Sequence, residues 1–554
     1  MMFRWNNRSI REAMVKLKSR GVIWSIDRFA IEYGVVSVSG WCGSERGEAV
    51  RLHLLLTYED GQELRVDLEG EIERRDVVIR YPNVGSGVGF FAHTAVARLD
   101  VPVAVSLMVA LSEDFSVRAP VPFYGKTATS EAISRLSVLR RYANRIVFHI
   151  LRGNFRLIAS RLKTHVPTLF ARASMGGRFE RLVHSLPNGL VLVMDHALGG
   201  GANHYREEII QQHNDAGSTV LLWTYAPLAT GFQMMVREPG GGHALYRVSR
   251  DEWSVLAKSR KISHVIFNNC VSYPQPEIVP TMLQAFARIR GVKLTILLHD
   301  FFTVCPSHFL VNQAGKHCGL PDVATCRACL PSISDGLVSL YRERDIDAWR
   351  RQWGALFLEA DHLIAFSENT KRLFLRAYPS VPSASVEIRP HKVNYLRGQY
   401  SYPESDGRLR VAMVGNITPV KGGEVFVELV KAARNAGAPI DFSVIGSLAS
   451  QQRVDGVDQT GPYEREELAR LLTERRVNVV LMLSIWPETF SYVTHELIAL
   501  NVPLVSFDIG AQGDAVRNYA LGRVLPLSDG DVLLPQIIEF RDRLAALHGT
   551  RPAS

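Results

Sequence analysis

The sequence predicts an α/β protein in which two Rossmann-like units face a cleft, preceded by an all-β sandwich and a basic helical linker. From Asn188 onward, short buried apolar runs alternate with helical periods, which is typical of a parallel sheet covered by helices. A joint rich in Pro, Tyr and Ser at residues 395–407 divides this part into two units. The predicted blocks are a lead segment at 1–20, the β-sandwich at 21–125, the basic linker at 126–185, the first Rossmann-like unit at 186–400 and the second at 401–554.

Size and composition are those of a multidomain enzyme. The chain has 554 residues, of which 47% are hydrophobic and 21% are charged, and this length is typical of roughly three or four domains. No window reaches the ~18 apolar residues that span a bilayer, and the basic N-terminus lacks the apolar stretch of a secretory signal. Six cysteines in so long a chain do not indicate a secreted disulfide scaffold. We therefore expect a cytoplasmic protein.

In the β-sandwich block, alternating apolar residues predict half-buried strands. Leu52, Leu54 and Leu56 alternate along one strand, and Asp60-Gly61 supplies a hairpin turn before the next. Four aromatic residues could form a carbohydrate-stacking face, but a core position is favoured because half-buried strands are rich in aromatic residues. These four are Trp41, Tyr81, Phe90 and Phe91.

The net charge of +9 is concentrated in the linker. Residues 126–185 carry twelve Lys or Arg against two acidic residues, Glu131 and Glu180, so this segment alone has a net charge of +10. Its apolar residues recur at steps of three and four, which predicts an amphipathic helix. Such a helix can bind an anionic membrane surface on the inner face of the cell membrane, or it can simply pack between domains. Nucleic acid is not expected as a partner, because the segment has no nucleic-acid motif.

The two Rossmann-like units are predicted from buried apolar strands. In an open α/β sheet, ligands bind at the carboxyl ends of the strands, so the cleft between the two units is the expected site. The predicted strands are 189–196, 219–224, 264–268, 293–299 and 362–366 in the first unit, and 409–415, 442–445, 477–483 and 504–507 in the second.

Two glutamates eight positions apart flank the point where a buried strand turns into a helix, in W-P-E-T-F-S-Y-V-T-H-E at 486–496. The helix is expected to begin near Phe490, and a helix start exposes N–H groups and a partial positive charge that suit phosphate. Glu488 and Glu496 can then accept hydrogen bonds from hydroxyl groups on the two sides of that phosphate. A nucleotide-sugar, with its hexose, diphosphate and ribose, has this layout. The alternative is a solvated helix with two incidental surface glutamates.

This segment resembles the donor-site signature of retaining glycosyltransferases of family four, which have the GT-B fold. The resemblance rests on E-x7-E followed by A-L-N-V-P-L-V and then D-I-G-A, ending at residue 511. It implies that Glu488 contacts the donor sugar and that Glu496 holds the ribose. The family usually has Gly where this chain has Ser, which can still offer its N–H. The backbone that would bind phosphate is that of Phe490, Ser491 and Tyr492.

A second loop, V-G-N-I-T-P-V-K-G-G, also resembles the family. The family motif G-R-L-x-x-x-K-G places two cations on the donor diphosphate. Gly415, Lys421 and Gly422 match it, whereas Asn416 stands where Arg is expected. Without the Arg, the loop lacks a guanidinium that could donate two hydrogen bonds to a phosphate, and Lys421 is left to neutralise the charge of the diphosphate. As an alternative, any βα loop of a doubly wound fold can carry Gly and Lys.

Further loops of both units have counterparts in the family. A glycine triplet precedes a helix in the first unit, where its N–H groups could face a phosphate or could form a flexible turn. The resemblance implies that His299 lies beside the donor sugar, with Asp300 orienting it or binding acceptor hydroxyls. A histidine at a strand end is also often structural. The residues assigned to the donor by these loops are Gly199, Gly200, Gly201 and, in a nucleotide-side loop, Tyr463.

Four cysteines follow His299 with the spacing C-x12-C-x7-C-x2-C. Four thiolates can surround a tetrahedral zinc ion, and a reducing cytoplasm favours metal over disulfide. We therefore expect a structural zinc that orders the loop at 305–329, the alternative being four free thiols. The predicted ligands are Cys305, Cys318, Cys326 and Cys329.

Together these patterns predict a hexosyltransferase that moves a hexose from a nucleotide-sugar to a glycan or lipid-linked acceptor in surface polysaccharide or lipopolysaccharide synthesis. The resemblance implies retention of anomeric configuration and no cofactor for catalysis. One alternative is a non-catalytic glycan- or nucleotide-binding protein on a GT-B scaffold, which Asn416 keeps open. A dinucleotide-dependent oxidoreductase is disfavoured, because no G-x-G-x-x-G with a following acidic residue is present.

Overall fold

The structure is a computed structural model of the chain, and it divides into two compact units. One unit comprises Met1–Ser134, Trp253–Lys258 and Glu277–Arg290, and the other comprises the remainder. Most of the predicted basic linker and Gly199 lie outside the described residues. The structure describes residues 7–32, 35–72, 77, 81–84, 88–95, 102, 104–111, 115–121, 172–173, 177–196, 200–226, 231–333, 344–449 and 454–547.

The first unit contains two antiparallel four-stranded sheets, with strand orders β1-β2-β6-β5 and β4-β3-β7-β8. Residues of both sheets, such as Val38 and Leu54, belong to one buried core cluster with helix α1. The hairpin at Gly61 is present, with φ +79 and a bond from the Gly61 N–H to the Tyr58 carbonyl oxygen. The expected all-β organisation is thus confirmed. The elements are α1 (Asn7–Ser19), β1 (Val22–Glu32), β2 (Val35–Ser44), β3 (Arg51–Thr57), β4 (Glu63–Asp67), β5 (Glu69–Ile72), β6 (Gly89–Ala95), β7 (Ala104–Ala110) and β8 (Ser116–Pro120).

Of the four aromatic residues considered for a carbohydrate-stacking face, Phe90 is a core residue with 2% of its surface exposed. The rings of Trp41 and Tyr81 lie 5.5 Å apart between centroids. The side chain of Phe91 lies outside the described residues. The core interpretation therefore holds for Phe90.

The second unit begins with a nine-stranded sheet of order β17-β16-β15-β14-β10-β11-β12-β13-β9. The strands from β17 to β11 are parallel, as their continuous apolar runs predict. The sequence reading missed the antiparallel pair β12 and β13, which extend the sheet beyond β11. The strands are β9 (Arg172–Ala173), β10 (Leu190–His196), β11 (Val220–Ala226), β12 (Gly231–Arg237), β13 (His243–Val248), β14 (Ile262–Phe267), β15 (Lys293–Leu297), β16 (His362–Ala365) and β17 (Val386–Ile388).

Helices connect these strands. Some of these helices begin with a side-chain cap. Asp345 caps the helix Ile346–Glu359 and Ser367 caps the helix Glu368–Ala377, and each side chain accepts a hydrogen bond from a first-turn N–H. The helices are α2 (Gly177–Ser185), α3 (Gly201–Asp215), α4 (Glu252–Ser259), α5 (Val279–Ala287), α6 (Val323–Ser332), α7 (Ile346–Glu359) and α8 (Glu368–Ala377).

The same unit ends with a six-stranded parallel sheet of order β20-β19-β18-β21-β22-β23. The strand order reverses between β18 and β21, which makes this the switch point at which open α/β sheets bind ligands. The predicted α/β fold is confirmed, with a parallel six-stranded sheet and a nine-stranded sheet that is parallel from β17 to β11. The elements are β18 (Leu409–Ile417), α9 (Gly423–Asn435), β19 (Ile440–Leu448), β20 (Asp458–Gln459), α10 (Leu468–Glu474), β21 (Val479–Met482), α11 (Tyr492–Ala499), β22 (Leu504–Phe507), α12 (Gly510–Arg517), β23 (Gly522–Leu525) and α13 (Gly530–Leu547).

Within the described residues, none of these helices combines the length and the hydropathy that a membrane crossing requires.

Candidate functional site

A cavity of about 260 Å³ lies at the carboxyl ends of β18 and β21 and of β15 from the other sheet. Its position at the switch point is the one expected for a ligand of an α/β fold. Several of the residues predicted for the site line it together, although they are up to about three hundred positions apart in the chain. These residues are Gly201, His299, Lys421, Glu488, Phe490, Ser491 and Tyr492.

Lys421 reaches the cavity because its loop packs closely against the end of β21. Gly422 has φ +82, and a Cβ atom there would lie 2.0 Å from the carbonyl oxygen of Leu483. The Ile485 N–H donates to the Val420 carbonyl oxygen at 2.9 Å and ties the same two loops together. Since only glycine allows this approach at this φ, the loop places Lys421 on the wall that also carries Glu488.

Glu488 presents a buried carboxylate to the cavity, with 7% of the residue exposed. Ser484 Oγ donates to Glu488 Oε1 at 2.6 Å, and the Glu488 N–H donates to Gln512 Oε1 at 3.1 Å. The Gln512 side-chain amide also donates to the Trp486 carbonyl oxygen at 2.9 Å. These bonds fix the loop, and a carboxylate with one such partner still has lone pairs for hydroxyl groups of a ligand.

Helix α11 begins at Tyr492, two residues later than predicted, and its first turn borders the cavity. Its N-cap residue Ser491 makes no side-chain capping bond, because the Ser491 hydroxyl accepts a hydrogen bond from Thr494 Oγ1 at 2.9 Å. N–H groups at a helix start that no side chain caps can bind an anion, aided by the helix dipole. The predicted phosphate seat therefore opens into the same space as Lys421 and Glu488.

Glu496 lies further along α11 and is not among the residues that line the cavity. It is 2% exposed. The Tyr395 hydroxyl donates to Glu496 Oε1, and Arg465 Nε lies 3.9 Å from the same oxygen. Burial raises the pKa of Glu496, and the bond from Tyr395 and the charge of Arg465 partly offset this. A ribose at this carboxylate would have to share it with Tyr395 or displace the Tyr395 hydroxyl.

His299 belongs to a group of stacked rings on the cavity wall. The His299 ring stacks on Phe366 with centroids 4.4 Å apart, and Phe366 stacks on His391 at 4.1 Å. His299 Nε2 and His391 Nδ1 are buried and lack hydrogen-bond partners among the described residues. Burial lowers the pKa of both histidines, that of His391 to about 3. Both imidazoles are therefore neutral near pH 7 and can exchange hydrogen bonds with an uncharged ligand group.

Asp300 does not line the cavity, and its carboxylate is hydrogen-bonded to other residues of the protein. Its carboxylate accepts hydrogen bonds from Asn269 Nδ2 at 2.9 Å and from the Phe302 N–H at 2.8 Å. Burial raises the pKa of Asp300 to about 6. These contacts are structural, so the catalytic assignment of Asp300 rests on the sequence alone.

The glycine-rich loop of the first sheet is described only in part. Gly200 precedes α3 with φ +103, and Gly201 is the first residue of that helix. A Cβ atom at Gly201 would lie 3.1 Å from a ring carbon of Tyr492. Gly201 therefore permits close contact with the start of α11, while Gly199 lies outside the described residues.

Besides Glu496, other described residues predicted for donor binding are absent from the cavity wall, namely Gly200, Gly415, Asn416, Gly422 and Tyr463. Gly415 has φ +112, and a Cβ atom there would have no neighbour within 4 Å; the close approach of β18 and β19 depends on Gly446, where a Cβ atom would lie 2.0 Å from the Gly415 carbonyl oxygen. Asn416 is exposed and accepts a hydrogen bond from Ser447 Oγ at 3.1 Å. Tyr463 packs against the hydrophobic core of the six-stranded sheet.

The four thiols of the cysteine-rich loop are free. Within the described part of the chain, which includes all four, no three His, Cys, Asp or Glu side chains form a group that could hold a metal ion. Cys326 Sγ instead accepts a hydrogen bond from Arg350 at 3.6 Å, and burial raises the pKa of the Cys305 thiol to about 12. The geometry therefore gives no support to the predicted zinc site.

Sequence reasoning missed several residues of the cavity wall, among them the polar side chains of His391, Arg465 and Trp486. Each has a buried polar atom without a hydrogen-bond partner among the described residues: His391 Nδ1, Arg465 Nη1 and Trp486 Nε1. Such atoms are unusual in a protein interior, and around one cavity they indicate a polar ligand. Arg465 lies two residues after Tyr463, so the nucleotide-side loop was the signal that could have found it.

Comparison with known proteins finds a family model that matches the second sheet and its helices. Residues 408–541 match the family model described as Glycosyl transferases group 1. The matched segment extends from β18 into α13 and contains Lys421, Glu488 and Glu496.

Two curated relatives are similar at low identity. A GDP-mannose-dependent alpha-mannosyltransferase of Mycobacterium tuberculosis is 24% identical over 241 residues, which are 41% of this chain and 59% of the relative. A D-inositol 3-phosphate glycosyltransferase of Rhodococcus erythropolis is 24% identical over 313 residues, which are 50% of this chain and 68% of the relative. The similarity thus spans less than two thirds of the length of the mannosyltransferase.

Solved structures also share similarity with this chain. The Anabaena protein HepE in complex with UDP-glucose is 14% identical, with a TM-score of 0.38, and the match covers 64% of this chain and 90% of HepE. A glycosyltransferase from Rickettsia africae is 13% identical, with a TM-score of 0.43, covering 65% of this chain and 89% of that one.

Proposed function

We propose, on the match of residues 408–541 to the family model of glycosyl transferases group 1, that the protein moves a hexose from a nucleotide-sugar to a glycan or lipid-linked acceptor. The observation that carries the proposal is that Lys421, Glu488 and the uncapped start of α11 border one cavity at the switch point. A cation, a helix start and a buried carboxylate are what a phosphate joined to a sugar requires.

The chemistry follows from where charge develops. As the bond between the anomeric carbon and the phosphate oxygen breaks, negative charge grows on the diphosphate. The Lys421 ammonium, the first-turn N–H groups and the dipole of α11 stabilise that charge. The resemblance to family four implies that no metal is needed for this step.

Glu488 orients the hexose by accepting hydrogen bonds from its hydroxyl groups. Ser484 and Gln512 hold this residue in place, so little reorganisation is needed when the sugar binds. We place attack by the acceptor hydroxyl on the face from which the diphosphate departs, with the proton passing to the departing phosphate oxygen. This path retains the anomeric configuration and requires no nucleophile from the protein.

The setting of the reaction is inferred from the sequence. A role in surface polysaccharide or lipopolysaccharide synthesis would bring a lipid-linked acceptor to the inner face of the cell membrane. The basic segment at 126–185, with its net charge of +10, is suited to contact an anionic surface there. Catalysis would then take place in the cytoplasm, where nucleotide-sugars are available.

Turnover of a nucleotide-sugar tests this proposal. A panel of nucleotide-sugars is screened first for thermal stabilisation of the protein, and hydrolysis of the stabilising donor is then measured without acceptor. We expect Glu488→Gln to lower the rate about 10²- to 10³-fold, because a buried interaction with the reacting sugar is weakened, while the donor still stabilises the protein.

Glu474→Gln is the matched control, since Glu474 is exposed and pairs with Arg470 on α10. It should leave the rate unchanged. Stabilisation by a donor without any turnover, in both wild type and control, would favour the non-catalytic binding protein instead. If no nucleotide-sugar stabilises the protein, the proposal fails.

A further inference from the structure

The loop that contains Lys421 supplies one cation fewer than the family motif provides for a diphosphate. A nucleoside diphosphate sugar carries two negative charges, and the family motif meets them with an Arg and a Lys. Here the position of the Arg is taken by Asn416, which is exposed and bonded to Ser447 away from the cavity wall. Among the described residues that line the cavity, the Lys and Arg side chains are Lys421 and Arg465.

Arg465 has a guanidinium donor that no described residue uses. Its Nη1 atom is buried and lacks a hydrogen-bond partner, although the side chain as a whole is 35% exposed. A buried guanidinium N–H that stays unsatisfied is costly, so a structure that keeps one beside a cavity is suited to an anionic ligand.

Aromatic rings hold the guanidinium next to the start of α11. The Arg465 Cζ atom lies 5.0 Å from the ring centroid of Tyr492 and 5.2 Å from that of Tyr395. Tyr492 is the first residue of α11, whose uncapped N–H groups form the anion seat. Contact of a cation with two tyrosine rings is favourable and restricts the side chain without neutralising its charge.

Glu496 lies near Arg465 but makes only a long contact with its guanidinium. Its Oε1 atom lies 3.9 Å from Arg465 Nε, at the outer limit of an ion pair, and accepts a hydrogen bond from the Tyr395 hydroxyl. The carboxylate faces the Nε edge of the guanidinium, which leaves the Nη1 edge for a ligand. The planar fork of arginine can use these two edges at once.

We propose that Arg465 is the second phosphate-binding cation of the donor site and takes the role that Asn416 cannot fill. It would donate from Nη1 to a non-bridging oxygen of the donor diphosphate while Lys421 neutralises the other phosphate. This inference rests on the proposed function, because it assigns a residue to the same donor site.

A ligand series separates this role from contact with the base or the ribose. Binding of uridine, UMP and UDP, and of guanosine, GMP and GDP, is measured by calorimetry for the wild type and for Arg465→Gln. We expect the variant to bind the better diphosphate about 10- to 100-fold more weakly, as loss of a charge-assisted hydrogen bond predicts. The matching nucleoside should bind within about 3-fold of wild type.

Arg470→Gln is the control, because Arg470 lies on the following helix and pairs at the surface with Glu467 and Glu474. It should leave the whole series unchanged. If Arg465→Gln does not fold, Arg465→Lys keeps the charge and loses the fork, and it should weaken diphosphate binding more than nucleoside binding.

Two results would overturn the assignment of Arg465. One is an equal loss for nucleoside, monophosphate and diphosphate, which would place Arg465 on the base or ribose. The other is unchanged diphosphate binding in a folded variant. If the wild type binds none of the six ligands and no nucleotide-sugar of the panel stabilises it, the proposed function itself fails, and that outcome is distinct from both.

Discussion

At the scale of single residues, the sequence identified the groups whose neighbours in the chain define a motif. Lys421, Glu488 and the start of α11 were found because strand, loop and helix follow one another locally, and these residues do line one cavity. His391 was missed because only the tertiary fold brings its loop to that cavity, whereas Arg465 lies in the nucleotide-side loop, from which only Tyr463 was assigned. Asn416, Asp300 and Tyr463 were assigned from motif position, which says nothing about where a side chain turns at the end of its strand.

Asp300 is expected to make a pH-dependent contribution to stability. Burial raises its pKa from the model-compound value of 3.8 to about 6, so the folded protein binds this proton more tightly than the unfolded chain does. Its contribution to the free energy of unfolding is therefore greatest below about pH 4 and falls as the pH rises towards 6. Above that range the carboxylate is buried in its charged form.

Asp300→Asn removes this titration while keeping a group of similar shape. In urea unfolding at a series of pH values, we expect the free energy of unfolding of the wild type, relative to the variant, to decrease between about pH 4 and 6 and to level off above it. A difference that stayed constant with pH would contradict the raised pKa of Asp300.

At the scale of elements, strand patterns were predicted better than sheet edges. Buried parallel strands such as β10 and β18 have continuous apolar runs that can be read locally. The hairpin of β12 and β13 was missed, because β13 is mostly half-buried and lacks a clear apolar pattern. In the cysteine-rich segment, four cysteines close together in the sequence predicted a zinc site, whereas among the described residues no three His, Cys, Asp or Glu side chains form a group that could hold a metal ion.

The contact of the β18–α9 loop with the end of β21 gives a prediction about Gly422. Gly422→Ala must accommodate φ +82 and a Cβ atom 2.0 Å from the Leu483 carbonyl oxygen. We expect it to lower the free energy of unfolding by more than the ~1–2 kcal/mol typical of a left-handed alanine, and to weaken binding of the donor by moving Lys421. Chemical denaturation and calorimetric titration measure these two effects.

Gly437→Ala is the matched control for this substitution. Gly437 has φ +63, but an added Cβ would have no atom within 4 Å. The Gly437→Ala variant should therefore lower the free energy of unfolding only by the ~1–2 kcal/mol of a left-handed alanine and should leave donor binding unchanged. Equal losses in the two variants would mean that the close approach at Gly422 contributes nothing.

At the scale of the second unit, the two sheets meet through residues next to Glu488. Thr489 Oγ1 donates to the His299 carbonyl oxygen at 2.5 Å, and the Thr489 carbonyl oxygen accepts from Thr370 Oγ1 at 3.3 Å. Phe490 packs against the apolar cluster of the nine-stranded sheet. These contacts join the loop that would hold the donor to the opposite half, so donor binding and closure of the two halves should be coupled.

Phe490→Ala tests that coupling, because its ring links the two halves and is not part of the core of the six-stranded sheet. We expect the variant to open in the absence of ligand, with a larger radius of gyration in small-angle X-ray scattering, and to return towards the wild-type value when donor is added. Phe540→Ala is the control, since Phe540 is buried within the second half alone. That control should lower stability by about 3–5 kcal/mol without changing the radius of gyration of the folded protein. If Phe490→Ala has the wild-type radius with and without donor, the contacts of Phe490 do not hold the halves together, and water must be excluded from the site in another way.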